Sequence, residues 1–205
     1  KPQVVYKEAI EDEASIEHTF EKIINNVTCK GWVSLLVQPN TRSGGIQIMN
    51  SISEESPVHP YLMAIEEGVL EASNMGILKG FPVTDVKVSI RDATFNSPEF
   101  ARLTLKMAAY EAFRDACQLA KPILLVPIMS LTVTVPNEFL GDIISDLNAR
   151  KSQVTNVTTS DKITIVQANA PLTKMFGYST DVRSLSQGRA SFTMYFSHYD
   201  KIENG

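Results

Sequence analysis

Arg183, Gln187 and Arg189 place two guanidinium groups and a carboxamide near the end of a helical pattern, on either side of Gly188. Side chains of this kind, set together where a helix stops, could meet a phosphate backbone, because the guanidinium fork engages phosphate through paired charge-assisted hydrogen bonds. The competing reading of the same residues is a solvated helix end. Elsewhere the reactive side chains do not assemble. His18, His59 and His198 have no second ligand at helical or hairpin spacing, so they read as surface or capping histidines. The pairs Asp12-Glu13, Glu54-Glu55 and Glu66-Glu67 are adjacent carboxylates on solvated faces rather than opposed acid and base. Cys29 and Cys117 lie far apart without metal or redox spacing and read as buried or incidental thiols. There is no G-x-x-x-x-G-K-[ST] phosphate loop and no G-x-S-x-G elbow, and Gly44-Gly45 reads as a turn between strands. The chain itself offers no catalytic residue and no metal site; it reads as a binder or a mechanical element.

The run from Pro171 to Phe196 shows how the basic side chains would be positioned. Met175 and Phe176 end a short apolar turn, Gly177 breaks it, and Ser179 is expected to cap a helix over Thr180–Gln187, with Asp181 near its positive end. Gly188 stops that helix, and Ala190–Phe196 alternates Phe192, Met194 and Phe196 with small or polar residues, the period of a half-buried strand. Counting from Pro122, the expected order is strand 124–135, helix 137–149, strands 152–158 and 162–168, helix 180–187 and strand 190–196, which is the βαββαβ, ferredoxin-like arrangement. Phe139, Leu140, Ile143, Ile144 and Leu147 make one apolar face of its first helix, opposite Glu138, Asp142, Asp146 and Arg150.

A domain boundary is expected at Ala120-Lys121-Pro122, giving domains 1–121 and 122–205. The first should be an α+β domain, with strands at 3–6, 19–24, 32–37, 46–49 and 83–90. One helix begins near Pro60 with Leu62, Ile65, Val69 and Ala72 inward, and closes at Gly76. The longest helix, Pro98–Ala120, is expected to bury a stripe of Leu103, Met107, Tyr110, Phe113 and Cys117.

With 43% hydrophobic and 20% charged residues the chain should fold around a real core. No apolar run reaches transmembrane length and no signal-peptide pattern opens the chain, so the sequons at Asn26 and Asn156 read as chance matches and the protein as intracellular and cytoplasmic. The net charge of −4 argues against indiscriminate coating of nucleic acid, which needs many neutralised phosphates. Up to Lys121 there are 12 basic and 16 acidic residues, and from Pro122 onward 7 of each, so any RNA contact must come from local clusters.

Three further stretches join the 171–196 run in a resemblance to one family. Lys121-Pro-Ile-Leu-Leu-Val-Pro-Ile-Met129, leading into Val135-Pro-Asn-Glu-Phe-Leu-Gly-Asp-Ile-Ile-Ser-Asp-Leu-Asn148, resembles the start of the C-terminal domain of elongation factor G. Lys1-Pro-Gln-Val-Val-Tyr-Lys-Glu8, Ala64-Ile-Glu-Glu-Gly-Val-Leu-Glu-Ala72 and Gly80-Phe-Pro-Val-Thr-Asp-Val-Lys-Val88 resemble the domain before it. The resemblance implies the fourth and fifth domains of a five-domain translational GTPase that promotes tRNA–mRNA translocation, an elongated arm followed by a ferredoxin-like domain. It also implies an excised fragment, with GTP and Mg held in the missing N-terminal domain and no cofactor here. The implied partners are the ribosome, its rRNA and the tRNA–mRNA complex, with no DNA, no membrane and a monomeric state.

Carried onto this chain, the rRNA-docking surface would comprise Arg183, Ser184, Gln187 and Arg189. The arm tip facing the decoding region would present Asn25, Asn26 and Lys30 from a first loop over 25–31, and Phe95, Asn96 and Ser97 from a second. Both loops depart from the family pattern. The first keeps only Gly31 of a usually glycine-rich stretch, and Asn96 stands where a histidine is usual. That departure motivates an alternative, a paralogue specialised for ribosome recycling or ribosomal protection. A free-standing ferredoxin-like interaction module is a third reading, since the topology alone carries no function.

Overall fold

The computed structural model describes residues 4–202, which divide into two compact units: residues 7–124, and residues 125–202 joined by residues 4–6. The first expected strand is displaced. Val4–Tyr6 lie outside any strand, Gln3 lies outside the described residues, and β1 is Lys7–Ile10.

In the first unit, β2 (Ala14–Ile24) and β3 (Val27–Pro39) form a long hairpin. Asn25 and Asn26, with φ of 52° and 62°, make its two-residue turn. Two successive left-handed residues give the turn whose twist matches the flanking strands, and asparagine tolerates that conformation better than most side chains. The sheet runs in the order β2-β3-β5-β4, with β4 (Ile46–Asn50) parallel to β5 (Val86–Phe95) and α1 (Leu62–Met75) between them in sequence. Cys29, Val33, Leu35 and Val37 of β3 face the helices. A register shift beside Ser34 and Leu35 leaves Arg91 as an extra residue in β5, so Ile90 and Ala93 are both buried.

The expected stripe on the longest helix is only partly correct. A short 3₁₀ turn at Pro98–Phe100 leads into α2, Ala101–Leu119, whose buried face is Ala101, Thr104, Leu105, Ala108, Ala109, Ala112, Phe113, Ala116 and Cys117. Leu103 is 39% exposed, and Met107 and Tyr110 are half-buried. The reason is distance. A Cβ on Gly31 would lie 2.5 Å from the Thr104 carbonyl carbon, and one on Gly68 would lie 2.2 Å from the Lys106 carbonyl oxygen. Backbones this close leave room for alanine but not for larger side chains.

Glu8 of β1 is fully buried. Its Oε1 accepts the backbone N–H groups of Ile77 (2.5 Å) and Leu78 (3.0 Å), and Oε2 those of Lys79 (2.7 Å) and Phe81 (3.3 Å). Gly76 and Gly80, with φ of 75° and 81°, bend the loop around the carboxylate. Burial alone would raise the Glu8 pKa, but the four N–H donors outweigh it and hold the carboxyl below its usual 4.5.

The second unit has strands in the order β7-β8-β6-β9, all antiparallel, from β6 (Pro122–Pro136), β7 (Gln153–Thr159), β8 (Ile163–Pro171) and β9 (Ser191–Asp200). With α3 (Leu140–Ala149) and α4 (Tyr178–Leu185) this is the ferredoxin-like βαββαβ fold. Leu131, Val133, Val135, Val166, Ala168 and Ala170 pack beneath Ile143, Leu147, Tyr178 and Val182. Two details differ from expectation. Helix α4 begins earlier, capped by Gly177 at φ 78° and not by Ser179, because Tyr178 turns into the core at 2% exposure. Phe196 is 57% exposed, because a register shift between Ile128 and Met129 leaves Ser197 unpaired and ends the inward alternation of β9.

Since the Glu8 pKa is lower folded than unfolded, its contribution is present above about pH 4.5 and is lost as pH falls through the folded value. Glu8→Gln should cost roughly 2–4 kcal/mol at pH 7 by leaving donors without a charged acceptor. Urea unfolding followed by the fluorescence of Trp32, the single tryptophan, should show the gap from the wild type narrowing as pH drops below 4.5.

Candidate nucleic-acid interface

The basic end of α4 is built by a hydrogen-bonded stop. Gln187 and Gly188 are both left-handed, with φ of 52° and 77°, and the Gly188 N–H returns to the Arg183 carbonyl at 2.8 Å. Ser186 is fully buried; its hydroxyl donates to the Val182 carbonyl (2.7 Å) and accepts the Ala190 N–H (3.0 Å), fixing the entry into β9. Arg183, Ser184 and Gln187 are left exposed on the outside of this stop. Arg183 has no ion pair among the described residues. Arg189 differs: it pairs with Glu138, and its guanidinium lies 5.6 Å from the Phe139 ring centroid. Both partners remain more than half exposed, so this pair is a weak surface contact that an incoming phosphate would have to displace.

Arg150, read from the sequence only as part of a polar helix face, is the group that holds α4 in place. Its Nε meets Asp146 at 2.9 Å, Nη1 donates to the carbonyls of Lys174 (2.8 Å) and Phe176 (3.4 Å), and Nη2 pairs with Asp181. Its guanidinium also stacks 5.0 Å from the Tyr178 ring, which meets Phe192 edge-on at 5.1 Å. Burial, with Asp146 nearby and Arg150 opposing, pushes the Tyr178 phenol up to about 12. The sequence signal for Arg150 was its position four residues after Asp146, an i,i+4 pair; the contact with Asp181 could not be read without the fold.

In the first unit the expected tip residues come together in part. Asn25 and Asn26 form the exposed hairpin turn, but Val27–Gly31 belong to β3, so the expected loop over 25–31 is a two-residue turn followed by strand. Gly31 is buried packing against α2 rather than loop flexibility. Lys30 and Asn96 do meet. The Asn96 Oδ1 accepts the Lys30 N–H at 2.8 Å, and its Nδ2 donates to the Thr28 carbonyl at 2.8 Å. Its carboxamide is therefore tied to the β3 backbone. Phe95 is half-buried, edge-on to Tyr61 at 5.1 Å, and Ser97 is half-buried at the entry to the 3₁₀ turn before α2. Arg102, absent from the sequence-derived set, is exposed and stacks 5.8 Å from Tyr61.

The family model for elongation factor G, domain IV, matches residues 2–121, and that for the elongation factor G C-terminus matches residues 123–205. The chain belongs to the elongation factor G family. The crystal structure of ttk003000868 from Thermus thermophilus is similar, with a TM-score of 0.83 and 31% identity over 97% of this chain. This elongation factor G segment spans 30% of that solved chain. It therefore carries the domain IV and C-terminal portions of a translation elongation factor-like protein, in family order. Among the described residues no His, Cys, Asp or Glu cluster could hold a metal ion, and no helix is long and apolar enough to cross a membrane. Cys29 and Cys117 are buried free thiols; burial pushes Cys117 up to about 12, too high for a reactive thiolate.

Arg150→Lys should destabilise the second domain by about 2 kcal/mol, because an ammonium cannot serve Asp146, Asp181 and two carbonyls together. Thermal melting followed by near-UV circular dichroism should show the loss, and Arg183→Lys should melt with the wild type.

Proposed function

We propose that this chain is the ribosome-engaging part of a cytoplasmic, monomeric translational GTPase that promotes tRNA–mRNA translocation, with GTP and Mg bound by a domain outside these residues. The observation that carries the reading is the exposed Arg183-Ser184 and Gln187 edge at the end of α4 in a chain whose two domains match the family in order. A guanidinium without an internal carboxylate is available to an rRNA phosphate, and the serine hydroxyl and glutamine amide add hydrogen bonds to backbone or sugar. Catalysis lies elsewhere; these two domains dock and occupy space. The tip residues Asn25, Asn26, Lys30, Phe95, Asn96 and Ser97 would meet the tRNA–mRNA complex in the decoding region.

One observation favours a second reading. Both polar ends of the Asn96 amide are satisfied by β3, and the hairpin turn is a tight pair of left-handed asparagines. A tip so fixed, with a neutral amide at that place, suits a paralogue for ribosome recycling or ribosomal protection. Translocation by the full-length protein at normal turnover would sink this second reading; splitting of post-termination ribosomes without translocation would sink the first.

Arg183→Ala in the full-length protein should lower ribosome-stimulated GTP hydrolysis roughly tenfold, equivalent to about 1.5 kcal/mol for one charge-assisted contact. Arg189→Ala should lower it less, because Glu138 already holds that guanidinium. Unchanged stimulation in Arg183→Ala would remove the docking surface from this site.

A further inference from the structure

Arg102 stands in the first turn of α2, exposed, with no hydrogen bond and no ion pair among the described residues. Its guanidinium lies 5.8 Å from the centre of the Tyr61 ring, and Tyr61 meets Phe95 edge-on with ring centroids 5.1 Å apart. Both rings are half-buried and pack against the core of the first unit. A cation over an aromatic face is held by the ring, and that contact spends none of the five guanidinium N–H donors. Arg102 is thus steadied in place with its whole hydrogen-bonding fork unused.

This seat is joined to the second expected tip loop residue by residue. Phe95 pairs with Gly31 in the sheet, and the carboxamide of Asn96, next in the chain, is tied to the Lys30 N–H and the Thr28 carbonyl. The amide expected to meet RNA is engaged by backbone, and the unused donors beside it belong to Arg102. Lys30, exposed at the same end of the sheet, also has no ion pair among the described residues. Two exposed carboxylates lie near in register or in sequence, Glu21 opposite Lys30 and Glu99 in the 3₁₀ turn before α2, and neither pairs with Arg102 or Lys30. A single exposed cation–π contact adds little to the fold, so packing gives no reason for an arginine at this place.

We propose that Arg102 grips a backbone phosphate of the tRNA–mRNA complex with its guanidinium fork. The inference rests on the proposed function, and adds to it a contact outside residues 25–31 and 95–97 and separate from Arg183. Tyr61 and Phe95 hold the guanidinium at the tip, so little side-chain freedom is lost when the fork closes on a phosphate. A carboxylate on a ribosomal protein would also suit the fork. What favours RNA is the second unpaired cation, Lys30, on a separate element of the same end, since a phosphate backbone offers charge at repeated intervals.

The test uses the full-length protein on ribosomes carrying tRNA and mRNA. Arg102→Gln should slow single-round tRNA movement about tenfold and lower the log–log salt dependence of ribosome binding by about one, while ribosome-stimulated GTP hydrolysis and the melting temperature stay at wild-type values. Arg102→Lys, which keeps a cation over Tyr61 without the planar fork, should recover only part of the rate. Undiminished movement in Arg102→Gln or full recovery in Arg102→Lys would overturn the proposal, and so would a lowered melting temperature in Arg102→Gln, which would assign the residue to the fold. A photo-crosslinking side chain at position 102 should join to tRNA or mRNA. Crosslinks confined to ribosomal protein or to rRNA would overturn the proposal in favour of that partner. Lowered GTP hydrolysis in Arg183→Ala beside an unimpaired Arg102→Gln would keep the docking reading and discard only this contact. A wild-type protein that ribosomes do not stimulate, or that does not move tRNA, would remove the proposed function and this contact with it.

Discussion

The first domain depends on how closely α2 approaches its neighbours. Gly31 on β3 and Gly68 on α1 both stand where a single added carbon would collide with the α2 backbone, at Thr104 and Lys106. Interiors packed to crystalline density cannot absorb such a carbon without moving a whole element. The alanine face of α2 follows from the same approach: Ala108, Ala109, Ala112 and Ala116 are fully buried where leucines would push sheet and helix apart. So does the geometry at one end of the sheet. With Gly31 seated against Thr104 and paired with Phe95, residues 95–97 have little freedom between β5 and α2, and Asn96 is brought within hydrogen-bond reach of Lys30.

The second domain solves a different problem, that of holding an eight-residue helix. So short a helix is marginal by itself, and tertiary contacts must fix it. Arg150 ties its first turn through Asp181 to α3 and to the preceding turn, Tyr178 and Val182 anchor its inner face, and buried Ser186 ties its last turn to β9. The exposed side chains of Arg183, Ser184 and Gln187 are displayed by these buried contacts without taking part in them. That separation lets the outer face carry recognition chemistry at little expense to the fold.

What could be read from the sequence follows from how local each signal is. The apolar faces of α1 and α3, the ferredoxin-like strand order and the halt at Gly188 are written within a few residues of one another, and the structure has them all. The failures come from distant partners. Leu103 and Met107 fit a helical stripe, but the partner surface across α2 is set by glycines at positions 31 and 68. Ser179 has the chemistry of a cap, yet burial of Tyr178 starts the helix first. The stretch from Asn25 to Gly31 looks like a loop to a reader expecting glycines, and the cross-strand register with β2 converts all but two of its residues into turn-flanking strand. Asn96 was legible as a polar site, while its two backbone partners in β3 were not.

The charge distribution explains why recognition in a chain of net charge −4 must be local. Part of its positive charge is already matched inside each domain. Lys106 pairs with Glu71, which raises its pKa, Lys121 pairs with Asp12, Arg42 with buried Asp85, Arg114 with Asp115, Arg150 with two aspartates, and Arg189 with Glu138. A cation already matched contributes little counterion release on meeting a phosphate, because its own partner must be freed first. Arg183 and Lys30 have no ion pair among the described residues, and they sit in different domains. With only a cation or two at each of these proposed contact points, binding gains orientation more than strength from each, and its dependence on salt should be shallow beside that of a basic RNA-coating protein.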